Sequence, residues 1–100
     1  MPKTAVLTLN EIVAKHAEGV AFVADEETPA ANVSDFVDHL RFAVEHLTMA
    51  GIDADDLDRG ADYLAEAQNA EGVELDVLLK KANDYLAELG PMIDEYRDAC

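Results

Sequence analysis

Tryptophan is absent from this chain of 100 residues, and serine and cysteine occur once each, as Ser34 and Cys100. A lone cysteine makes no intrachain disulfide, so the apolar core alone has to hold the fold. Basic residues are scarce, 7 against 22 acids, and a formal charge of −15 excludes a basic face for nucleic acid or for an anionic membrane. No run approaches the roughly 18 uninterrupted apolar residues of a membrane span, and no basic segment leads into an apolar one near the N-terminus, so a cytoplasmic protein is expected. The glycines, at 19, 51, 60, 72 and 90, stand singly and form no phosphate-cradling loop. Ser34 reads as a helix cap and Cys100 lies at a terminus, so neither has the adjacent base and orienting group that a nucleophile needs. The expectation is a protein that is not an enzyme and carries no cofactor.

Half of the residues are apolar and they are dispersed, which argues for a folded chain. The length suits one domain spanning residues 1–100. Thr8-Leu-Asn-Glu11 is a capping box, and Leu9, Ile12, Val13, His16, Val20 and Val23 follow it on one helical stripe. The segment Asp25 to Ala31, with Pro29, reads as a loop. Asn32 or Ser34 then caps a second helix running to Ala50 and closed by Gly51. That helix carries Val33, Phe36, Val37, Leu40, Ala43, Val44 and Leu47 on one face and His39, Phe42, His46 and Met49 beside it, which predicts a central position.

Asp53 caps a third helix with Leu57, Ala61, Leu64 and Ala65 inward and Gly72 beyond its end. A fourth runs from Val73 to Leu89, closed by Gly90, with Pro91 opening a short final helix through Met92, Ile93 and Tyr96. The only strand candidate is Thr4 to Leu9. The predicted fold is therefore all-α, a bundle of four main helices plus a short C-terminal helix. Its predicted core is Ile12, Val13, Val20, Phe36, Leu40, Val44, Leu47, Leu64, Leu78, Leu79, Leu86 and Ile93. Asp62-Tyr-Leu-Ala-Glu66 recurs as Asp84-Tyr-Leu-Ala-Glu88, which either duplication or convergence on amphipathic spacing explains.

Metal chemistry fails on spacing. Counted as a calcium loop from Asp53, the sixth position is Asp58 instead of glycine and the twelfth is Leu64 instead of glutamate. Counted from Asp55, Gly60 and Glu66 fall correctly, but Leu57 and Arg59 occupy ligand positions. His39 and His46 lie about 10 Å apart along a helix, too far to share one zinc ion.

The charge is uneven. From Asp53 to Asp76 there are nine acids and one base, Arg59. On a helix Asp55, Asp58, Asp62 and Glu66 fall on one face, in a row about 16 Å long. Bulk solubility is one account of this row. The other is a negative contour, comparable in pitch to a phosphate backbone, that docks on the basic groove of a nucleic-acid-binding protein. In charge and size alone the chain resembles small acidic inhibitors of restriction or CRISPR machinery, although no motif identifies a family.

The first functional expectation is thus a non-catalytic binding protein that engages a basic partner surface through Asp53, Asp55, Asp56, Asp58, Asp62 and Glu66, with no direct contact to nucleic acid or membrane. The alternative is an oligomerisation module, a homodimer packed through His39, Phe42, His46 and Met49.

Overall fold

The computed structural model describes residues 8–99, which form five helices: α1 (Leu9–Ala24), α2 (Val33–Met49), α3 (Asp55–Ala67), α4 (Gly72–Leu86) and α5 (Leu89–Ala99). The architecture is the all-α bundle the periodicity predicts, with α4 and α5 following each other across the turn Ala87-Glu88. None of the helices is long and apolar enough to cross a membrane among the described residues. The strand candidate falls mostly outside the described residues; of its last two, Thr8 caps α1 and Leu9 begins it.

Local chemistry sets the helix ends. The Thr8 hydroxyl accepts the Glu11 N–H at 3.2 Å, and the Glu11 carboxylate accepts the Thr8 N–H at 3.0 Å. That backbone bond, and secondarily the Thr8 side chain, pull the Glu11 carboxyl below its usual range. Asn32, not Ser34, caps α2 by accepting the Asp35 N–H. At the far end Gly51 takes φ 83°, its N–H reaches the Thr48 carbonyl, and the Ile52 N–H reaches that of Leu47. This is a Schellman closure, with Ile52 buried as its apolar clasp. α1 closes by the same pair of bonds onto Ala21 and Phe22, but with Asp25 at φ 60° in the left-handed position.

Three boundaries differ from the sequence reading. α3 begins at Asp55, with Ala54 as N-cap; Asp53 still contributes, accepting the Asp55 N–H at 3.0 Å. Gly72 belongs to α4 as its first residue, and α3 has already ended at Ala67. Gly90 does not terminate α4, which stops at Leu86, one turn before Pro91. The proline ring cannot donate to the Ala87 carbonyl and would clash with it in a continuous helix, whereas in the first turn of α5 no donor is needed.

The pairs α1–α2, α2–α3 and α3–α4 make the extensive contacts, and α1 also meets α5 and α4. Buried side chains form one cluster led by Phe36, Ile12, Leu40, Leu47, Leu57, Leu64, Leu86 and Leu89. Val44 and Ile93, expected inside, are half-buried at its edge. Nor is α2 surrounded as its composition suggests. Only Phe36, Val37, Leu40, Ala43 and Leu47 are buried, while Phe42 is 47% and Met49 83% exposed. Its two histidines are half-buried against α1 and the loop after it.

Candidate functional site

Leu57, Gly60, Ala61, Leu64 and Ala67 turn one side of α3 into the core, which forces Asp55, Asp58, Asp62 and Glu66 together onto the opposite, solvent-facing side. All four are exposed. The first-turn acids Asp55, Asp56 and Asp58 are favourable at a helix N-terminus, where backbone N–H groups carry partial positive charge. Asp53 is exposed in the connection before α3, its carboxylate spent partly on the Asp55 N–H. Asp56 is exposed but about 100° around the helix from Asp55, off the row.

The row is not free of counter-charge. Arg41 reaches across from α2, Nη1 lying 3.4 Å from Asp58 Oδ1 and Nη2 3.1 Å from Asp62 Oδ1. Arg41 lies outside the segment Asp53 to Asp76, on the neighbouring helix. The five-residue connection between α2 and α3 makes them antiparallel neighbours, and that was the available signal. One guanidinium between two carboxylates leaves the row net negative. Asp38 and Glu45, exposed three residues before and four after Arg41, extend the acidic face onto α2. Arg59, on α3 itself, interacts electrostatically with Asp55 of the row. Hydrogen bonding to Tyr85, with weaker help from the charges of Tyr85, Tyr63 and Asp55, holds its guanidinium still more firmly charged.

The stripe His39, Phe42, His46, Met49 divides in two. His46 Nδ1 lies 2.7 Å from the Val23 carbonyl, and a carbonyl only accepts, so Nδ1 carries the proton and donates. His39 Nε2 sits 3.8 Å from Glu26 Oε1, and its Nδ1 is buried without a hydrogen-bond partner. Both histidines thus serve α1 and the loop after it, and only Phe42 and Met49 remain on the surface. Among the described residues no three His, Cys, Asp or Glu side chains are grouped so as to hold a metal ion.

A cleft of about 460 Å³ went unread in the sequence, because Asp25, His46, Met49, Ala50 and Tyr96 come from three separate segments. Compared with protein-family models, with curated proteins and with solved structures, the chain finds no match.

Proposed function

We propose that this protein is a non-catalytic acidic binding module whose α3 face docks on a basic surface of a partner protein, and that it acts as an inhibitor by occupying a nucleic-acid site. The observation that carries the reading is the exposed row Asp55, Asp58, Asp62 and Glu66. Four carboxylates over about 16 Å compare with about five phosphates on one strand of a duplex over the same length.

The chain also supplies an internal control. At the offset of 22 residues given by the repeated Asp-Tyr-Leu-Ala-Glu, the row on α3 corresponds to Val77, Lys80 and Asp84 on α4 and Glu88 in the turn after it. The second copy breaks the row with an apolar residue and a lysine. A demand for solubility alone gives no reason for this difference, whereas a docking face on α3 does.

The test is the variant carrying Asp55→Asn, Asp58→Asn, Asp62→Asn and Glu66→Gln. Neutralisation is preferable to reversal, because lysines at 58 and 62 would repel Arg41. The variant is expected to stay helical by circular dichroism and to lose partner binding; unchanged affinity in the folded variant refutes the reading.

The exposure of Phe42 and Met49 favours one other reading, a dimer packed through these two residues. Phe42→Asp dissociates such a dimer in sedimentation, and a monomer at all concentrations removes it.

A further inference from the structure

The last turn of α2 meets the C-terminal end of α1 beside α5, and the cleft there is lined by Asp25, His46, Met49, Ala50 and Tyr96. Apart from the Tyr96 hydroxyl, its polar side chains are acceptors. Asp25 offers an exposed carboxylate. Because His46 donates its Nδ1 proton to the Val23 carbonyl, what its ring has left to offer as an acceptor is the lone pair of Nε2. The C-terminal ends of two helices add partial negative charge. The walls are soft and aromatic: Met49 is 83% exposed, and the Tyr96 ring packs edge-on against Phe22 with centroids 6.1 Å apart. Among the described residues no lysine or arginine lines the cleft.

We propose that this cleft holds one arginine side chain of a partner protein. A guanidinium is donor-only and suits acceptors such as Asp25 and His46 Nε2, while its flat face and alkyl stem suit Tyr96 and Met49. The protein shows the same chemistry internally next door, where the Arg97 guanidinium lies 5.2 Å from the centroid of the Phe22 ring. A volume of about 460 Å³ accommodates such a side chain. The proposal stands on residues other than the α3 row and supplies what a row of carboxylates lacks, a place that fixes the register of a basic partner.

The experiment is a titration of the intact protein with the peptide acetyl-Gly-Arg-Gly-amide and, separately, with its citrulline counterpart. It is read at the Met49 methyl and Tyr96 ring resonances, with Met49 assigned through Met49→Leu. The arginine peptide is expected to shift both and the citrulline peptide neither. Asp25→Asn, which keeps a side chain tolerant of the left-handed conformation, is expected to weaken binding on the order of tenfold. The variant neutralised at Asp55, Asp58, Asp62 and Glu66 is expected to retain the shifts. Equal response to both peptides, or indifference to Asp25→Asn, overturns the proposal. Loss of the shifts in the α3 variant alone also overturns it, while leaving the docking face standing.

Discussion

Tyr63 and Tyr85 stack across the α3–α4 contact, ring centroids 5.6 Å apart and planes 13° from parallel. They are the same position of the repeated pentapeptide, and their surroundings are reciprocal. Lys81, four residues before Tyr85, lies 5.5 Å from the centroid of Tyr63, while Arg59, four residues before Tyr63, has its pKa raised chiefly by Tyr85. Leu57 and Leu79, Gly60 and Ala82, and Leu64 and Leu86 are buried as matching pairs at the same offset. The register is that of two antiparallel helices related by a local two-fold axis, which a duplicated unit folded back on itself and convergence on the same amphipathic spacing both produce.

Coupling between the two tyrosines follows. In a double-mutant cycle with Tyr63→Leu and Tyr85→Leu, denaturant unfolding is expected to give an interaction energy of about 0.5 to 1.5 kcal/mol. Additive single effects would mean that the stack contributes nothing beyond burial.

Arg41→Met is expected to cost little. Its guanidinium and both carboxylates are about half exposed, so a loss of about 1 kcal/mol or less is expected, shrinking further in salt. Urea midpoints at low and high ionic strength check this. A loss of several kcal/mol would make Arg41 a structural keystone, and the α3 row would then be a fold element instead of a free face.

His16 gives the molecule a pH dependence. Burial, and secondarily the charge of Lys15, lower its pKa, and its Nε2 is buried without a partner. The unfolded chain therefore takes up the proton first. Stability is fully present above the unfolded value near 6.5 and is lost as pH falls from there through the lower folded value. His16→Met is expected to flatten the stability profile in that window, measured by thermal unfolding at stepped pH. A profile unchanged by the substitution contradicts it.

Asp25 is the single non-glycine residue with positive φ among those described, and it occupies the place in the α1 closure that glycine favours. Asp25→Gly is expected to leave stability unchanged or to raise it by up to about 1 kcal/mol, because the left-handed conformation penalises Asp more than Gly. A marked loss in thermal unfolding would show that the carboxylate itself holds the loop.

What the sequence made legible was local. Thr8 and Asn32 could be read as caps because each acts on a backbone N–H three residues away. Most of the core was readable from helical period, since Ile12, Phe36, Leu40 and Leu64 lie at the middle of their stripes, whereas Val44 and Ile93 lie at an edge where neighbours decide burial. The α4–α5 junction was misplaced because Gly90-Pro91 fits two geometries, and only the position of the Ala87 carbonyl separates them. Of the candidate site, the α3 row could be read from i, i+3, i+4 spacing alone. Arg41 could not, because its partners are 17 and 21 residues away. The partly buried state of the α2 histidines fits their place beside the apolar face, but the partners that Val23 offers His46 and Glu26 offers His39 come from another helix and loop and could not be read from spacing.

The most direct test of the acidic face is capture from cell lysate on immobilised wild-type protein and on the variant neutralised at Asp55, Asp58, Asp62 and Glu66, at low and high ionic strength, with elution by duplex nucleic acid. The wild type is expected to retain a nucleic-acid-binding protein at low salt and to release it to added salt and to the duplex, while the variant retains none. Retention of the same proteins by both, or retention indifferent to salt and to the duplex, would contradict the account.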